Sequence, residues 1–105
     1  MGEAWFSTVE SKLYEYSTVE HAIKNITARN DPNELQMLAR KEALKNEIAG
    51  VMLSFTEFEA KLFNGLYMDQ VEPKQMENIL CVSESTFYRK KRAFVKKVAQ
   101  YMGYV

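Results

Sequence analysis

The feature that most constrains this chain is the stretch from Pro73 to Tyr101, PKQMENILCVSESTFYRKKRAFVKKVAQY, where two helical patterns flank the short break Cys81-Val82-Ser83. Pro73 has a φ already suited to a first helical turn, and its missing N–H costs nothing there. A short helix is therefore expected from Pro73 to about Leu80, with Met76, Ile79 and Leu80 as its apolar face. Ser83 can cap a second helix, because its hydroxyl accepts a free backbone N–H of the first turn. Glu84 adds negative charge at the positive end of that helix. Beyond it Phe87, Phe94, Val95, Val98 and Met102 recur at helical spacing, with Ala93 and Ala99 as small contacts beside them. The opposite face carries Ser85, Tyr88, Arg89, Arg92 and Lys96, flanked by Lys90, Lys91 and Lys97.

Charge is distributed unevenly along the chain. The formal net charge is zero, yet residues 1–33 carry −2, residues 34–72 carry −3, and from Ser83 onward six bases face Glu84 alone, giving +5. A neutral protein that gathers its positive charge on one helix has the footprint of a nucleic-acid binder, with the acidic part left for self-association or protein partners. Two helices joined by a tight turn, the second presenting hydroxyl, aromatic and basic side chains, also meet the requirement for reading the major groove. The candidate contacts to double-stranded DNA are Lys74, Gln75, Ser83, Glu84, Ser85, Thr86, Tyr88, Arg89, Arg92 and Lys96. A basic helical hairpin with a merely solvated face is the plain alternative.

At 105 residues the chain is expected to form one domain around one core, and scarce Pro and Gly point to helix. No run is long and apolar enough to span a membrane, and no basic region followed by an apolar stretch opens the chain, so a cytoplasmic location is expected. One cysteine excludes an internal disulfide and a cysteine-based zinc cluster, and one histidine removes most other metal and triad options. Cys81 reads as a packing residue and His21 as a helix-surface residue. There is no glycine-rich phosphate loop and no distinguished carboxylate pair, so no catalytic residue, metal, cofactor or small-molecule substrate is expected.

Upstream, residues 3 to 24 carry a stripe of Trp5, Phe6, Val9, Leu13 and Tyr16 with Tyr14 off it, and either one long helix or a helix broken near Tyr16–Thr18 fits. The pattern continues through Ala22, Ile23 and Ile26 and stops at Arg29-Asn30-Asp31-Pro32-Asn33, a loop. Residues 1–30 thus form an N-terminal helical segment suited to oligomerisation or partner contact. Asp31 or Asn33 can cap a helix from Glu34 to about Ser54, with Leu35, Leu38, Leu44, Ile48, Val51, Met52 and Phe55 as its stripe. Gly50, inside that helix, suggests close approach of a neighbour. Thr56-Glu57-Phe58-Glu59 is a capping box with Phe55 placed as the staple, and the helix it starts carries Phe58, Leu62, Phe63, Leu66 and Tyr67, with Gly65 as a second close-approach site. Residues 34–105 then make a helical DNA-binding region with the helix-turn-helix at 73–101.

Val82-Ser83, Ser85-Thr86-Phe87 and Arg89 resemble the V-S-x-S-T-hydrophobic-x-R core of the sigma-factor region 4 helix-turn-helix. By that resemblance Glu84, Ser85, Tyr88 and Arg89 fall on base-facing positions and Phe87 on the buried one. Cys81 stands where the turn usually holds glycine, and Glu77 where a small buried residue is usual. From Ala39 to Gly103 the order of elements resembles the ArpU and RinA type regulators of phages and prophages of low-GC Gram-positive bacteria. The resemblance implies an all-α helical bundle with a C-terminal sigma-region-4-like helix-turn-helix. It also implies a transcriptional activator of late, packaging or lysis genes, with Ser85, Tyr88, Arg89 and Arg92 on DNA and no enzymatic activity. RNA polymerase is a further partner to expect, and a homodimer, or another small oligomer, built on the N-terminal aromatic stripe is expected because that stripe exceeds what a small three-helix unit can cover. A small terminase subunit that recognises DNA as a ring, a polymerase- or sigma-binding adaptor, and a purely structural helical protein are the competing readings.

Overall fold

The computed structural model describes residues 4–29 and 34–105, less the side chains at 20, 21 and 26–29. It is built of helices: α1 (Ala4–Arg29), α2 (Leu35–Met52), α3 (Glu57–Leu62), which runs on into a π-helical segment (Phe63–Met68), α4 (Pro73–Leu80) and α5 (Glu84–Met102). No strand occurs among the described residues, so the expected all-α class holds. The expected loop at 30–33, its capping residues Asp31 and Asn33, and the surface role of His21 lie outside the described residues.

Of the two forms open to the first segment, the unbroken helix is the one found. Its hydroxyl residues do not break it because they turn back onto it. Thr8 Oγ1 donates to the Ala4 carbonyl at 3.2 Å, Ser17 Oγ to Tyr14 at 2.7 Å and Thr18 Oγ1 to Glu15 at 3.1 Å. Packing then secures the helix: Val9, Leu13 and Val19 are fully buried, and Tyr16 lies 5.8 Å from Phe63 ring to ring. Val19 was absent from the expected stripe, and Tyr14, placed off it, turns one edge to Tyr67 at 4.7 Å.

α1 packs on α2, on the π segment and on α5, so its apolar side enters the same core as the rest of the chain. α1 and α2 thus contribute to one core. In the stripe on which a homodimer was expected, Val9 and Leu13 are buried and Trp5, Phe6 and Tyr16 partly buried within their own chain.

The core centre is aromatic. Phe55, Phe63, Tyr67 and Phe94 pair at 5.1–6.4 Å in tilted and edge-on contacts, which bring the link between α2 and α3, the π segment and α5 together. The capping box forms as expected: Thr56 Oγ1 accepts the Glu59 N–H at 3.2 Å, and Glu59 Oε1 accepts the Thr56 N–H at 2.8 Å. Both close-approach glycines are explained. A Cβ on Gly50 would overlap the Tyr101 hydroxyl of α5, and one on Gly65 the sulfur of the buried Met76 of α4. Leu35 and Ile79, expected on apolar stripes, are 59% exposed, and Ala93 faces solvent. At the helix ends and on the short α4 the core is too narrow to receive every apolar residue that periodicity nominates.

Candidate nucleic-acid interface

α4 starts at Pro73 and stops at Cys81, which adopts the left-handed conformation with φ 58° and ψ 46°. The strain expected of a non-glycine residue there is thus present. The turn is closed by the Cys81 N–H donating to the Asn78 carbonyl at 3.2 Å and the Val82 N–H to the Glu77 carbonyl at 3.0 Å. This geometry corrects one expectation: Cys81 is exposed, and the neighbours Leu80 and Val82 pack against the core in its place.

Ser83 then caps α5 from an extended backbone, its hydroxyl accepting the Thr86 N–H at 3.3 Å and donating to Thr86 Oγ1 at 3.0 Å. Ser85 Oγ is 3.4 Å from the same hydroxyl. The cap orients the first turn so that Phe87 points into the core, fully buried, while Ser85, Tyr88 and Arg89 face out. Phe94, Val95, Val98 and Ala99 continue the buried side, and Arg92 and Lys96 continue the outer one.

Nine of the ten residues named from sequence are exposed: Lys74, Gln75, Ser83, Glu84, Ser85, Tyr88, Arg89, Arg92 and Lys96. Thr86 is half-buried, its hydroxyl engaged in the cap. Lys74 and Glu84 are brought together at 2.9 Å, bridging the start of α4 to the start of α5. The Glu84 carboxylate raises the Lys74 pKa, but both groups lie in solvent, so the pair contributes little to stability.

The cations of α5 divide into two sets. Lys91 meets Glu10 of α1 at 2.9 Å, and Glu10 also accepts the Tyr67 hydroxyl at 2.9 Å. Burial, then the Glu10 charge, pushes the Tyr67 phenol far up, so it stays protonated as the donor in this knot. Lys97 donates to Glu59 at 2.7 Å and to the Ser54 carbonyl at 2.8 Å. Among the described residues Arg89, Lys90 and Lys96 have no carboxylate partner; the Lys90 ammonium lies 5.2 Å from the centre of the Phe58 ring. Lys97, one of the bases flanking the outward face, is thus held by Glu59 of α3.

The sequence reading missed that Trp5 and Phe6 lie beside this surface. The Arg92 guanidinium carbon lies 5.9 Å from the Trp5 ring centre and 5.8 Å from that of Phe6. No local signal could have found this, since the residues belong to opposite ends of the chain. What results is an outward surface of hydroxyls, a half-exposed tyrosine and cations on a rigid, core-anchored helix, able to hydrogen-bond and neutralise a polyanion. No family model, curated protein or solved structure matches this chain.

Proposed function

We propose that this protein is a sequence-specific DNA-binding transcriptional regulator that lays the outer face of α5 in the major groove of duplex DNA. One observation carries the reading. The Ser83-capped α5 buries Phe87, Phe94, Val95 and Val98 and turns Ser85, Tyr88, Arg89 and Lys96 to solvent, behind a tight turn from α4. In such a unit the first residues of the second helix meet base edges and cations further along meet phosphates. Arg89 stands about one and a half turns into the helix, at the depth where a guanidinium bonds guanine in bidentate fashion. The left-handed backbone at Cys81, where a sigma-region-4 turn usually holds glycine, supports the likeness to that helix-turn-helix. Through the resemblance to ArpU and RinA type regulators, the proposal extends to an activator of phage or prophage late genes, acting in the bacterial cytoplasm with RNA polymerase and without catalysis.

The test is selection of bound sequences from random duplex DNA. Recovery of a defined motif, with affinity falling steeply as salt rises, is the expected result. Failure to enrich any sequence, together with salt-dependent attraction to all of them, would reduce α5 to an electrostatic patch.

A further inference from the structure

We infer that Glu84 is a specificity-determining residue whose carboxylate selects cytosine at one position of the bound DNA, and that Lys74 is the positioning residue that holds this carboxylate in place; this rests on the DNA-binding reading above. The Lys74 ammonium donates to Glu84 Oε2 at 2.9 Å across the turn between α4 and α5. Both ends of the link are anchored. Lys74 follows Pro73 in the first turn of α4, Glu84 follows the Ser83 cap as the first residue of α5, and the Cys81 and Val82 N–H groups tie the turn back to α4. Oε1 of Glu84 accepts from no group among the described residues, and the two side chains are 76% and 61% exposed. At that exposure an ion pair adds little to stability, so holding the fold together does not account for it.

A carboxylate aimed at a duplex is repelled by the phosphates, and here the ammonium beside it offsets that charge. It is also an acceptor without a donor. In the major groove it therefore bonds the cytosine N4 amine and is repelled by O6 and N7 of guanine and O4 of thymine, while adenine offers its amine only beside an acceptor. With Oε2 engaged by Lys74, Oε1 is the oxygen left for a base, and the side chain has given up much of its rotamer freedom before DNA arrives. The Glu84 hydrogen bond first, and then the Glu77 charge, raise the Lys74 pKa, so the ammonium stays charged. Glu84 lies one helical turn before the exposed Tyr88 and on the same side of α5. The outward face thus opens with an acceptor and continues with the guanidinium donor of Arg89.

The experiment carries out selection from a random duplex library with the full chain, in parallel for wild type, Glu84→Ala and Lys74→Ala. The wild-type motif should contain one cytosine position that becomes degenerate with Glu84→Ala and loses much of its preference with Lys74→Ala, while the other positions stay as they were. On a duplex carrying the motif, replacing that C·G pair by T·A should weaken wild-type binding by about tenfold and Glu84→Ala binding by less than about twofold. Lys74→Arg, which keeps a cation, should keep the preference. Glu84→Gln, whose amide both donates and accepts, should shift it toward adenine. Once Glu84 is alanine, Lys74→Ala should change no base preference further, because it acts through Glu84. A motif that survives Glu84→Ala at every position would overturn the inference, as would a cytosine preference left intact by Lys74→Ala. Should either alanine variant disturb the fold, Glu84→Gln decides the matter, and an unchanged cytosine preference in it counts against the inference. Selection of no motif by the wild type would instead remove the DNA-binding reading itself.

Discussion

The two flanks of α5 carry the same residue types and do opposite things. On the inner flank Lys91 and Lys97 reach back to Glu10 and Glu59, and their charge is consumed in holding α1 and α3 against the helix. On the outer face Arg89 and Lys96 have no carboxylate within the described residues, and their charge is directed to whatever approaches from outside. A count of bases on a helix therefore overstates its attraction for a polyanion when acidic neighbours are close. At least two of the six cations from Ser83 onward belong to the architecture.

The comparison breaks first on the buried side. Phe94→Ala removes a ring in contact with Phe55, Phe63 and Tyr67 and should cost about 3–5 kcal/mol in urea unfolding, the largest effect expected of any single change in α5. A cost below that of an ordinary surface substitution would mean the aromatic centre is not packed as described. On the outer face Arg89→Ala should leave the urea midpoint unchanged and cost roughly 1–3 kcal/mol of binding on a selected duplex, with preference relaxed at one base position.

A sharper contrast comes from adjacent lysines. Lys97→Ala should destabilise the fold by about 1 kcal/mol, because it leaves the mostly buried Glu59 carboxylate without its cation. Its effect on the salt slope of DNA binding should be negligible. Lys96→Ala should do the reverse, with stability unchanged and the slope reduced by about one. Equal behaviour of the two variants in both assays would erase the distinction between the flanks.

The smallest effect is in pH. Burial pushes the Glu59 carboxyl up, but the Lys97 ammonium and the Thr56 N–H and hydroxyl outweigh it, so the net shift is downward from 4.5. A depressed carboxylate stabilises the fold above its ordinary value and loses that contribution as the pH falls through its folded value. Wild-type protein should therefore lose more stability than Glu59→Gln on acidification below 4.5, by less than about 1 kcal/mol. Parallel curves for the two proteins would show that the ion pair is energetically idle.

Much of the fold was legible because it is written in local chemistry. The Thr56 capping box, Pro73 at the start of α4, the Ser83 cap and the alternation of buried and exposed residues along α5 depend on neighbours within a turn or two. So does the strain at Cys81, read from a non-glycine residue in a turn that demands a positive φ. What escaped was long-range. The burial of Val19, the capture of Lys97 by Glu59 and the seating of Arg92 on Trp5 and Phe6 each require knowing which helices meet. The π-helical widening at Phe63–Met68 and the positive φ of 55° at Gln70 leave no mark in the sequence pattern either. The outer face of the candidate site was thus readable almost residue by residue, whereas its supports were not.

The Glu10 knot also bears on the order of events during synthesis. Glu10 receives the Tyr67 hydroxyl across 57 residues and the Lys91 ammonium from farther still, so α1 cannot complete its contacts until α5 has been made. During translation α1 precedes the other described helices, and its contacts with the π segment and α5 wait until those have been made. Closing such distant contacts is slow compared with forming the helices themselves. A chain interrupted before α5 would hold neither a finished core nor the cationic face, so the last of these helices to be translated brings the fold and the surface that depends on it into being together.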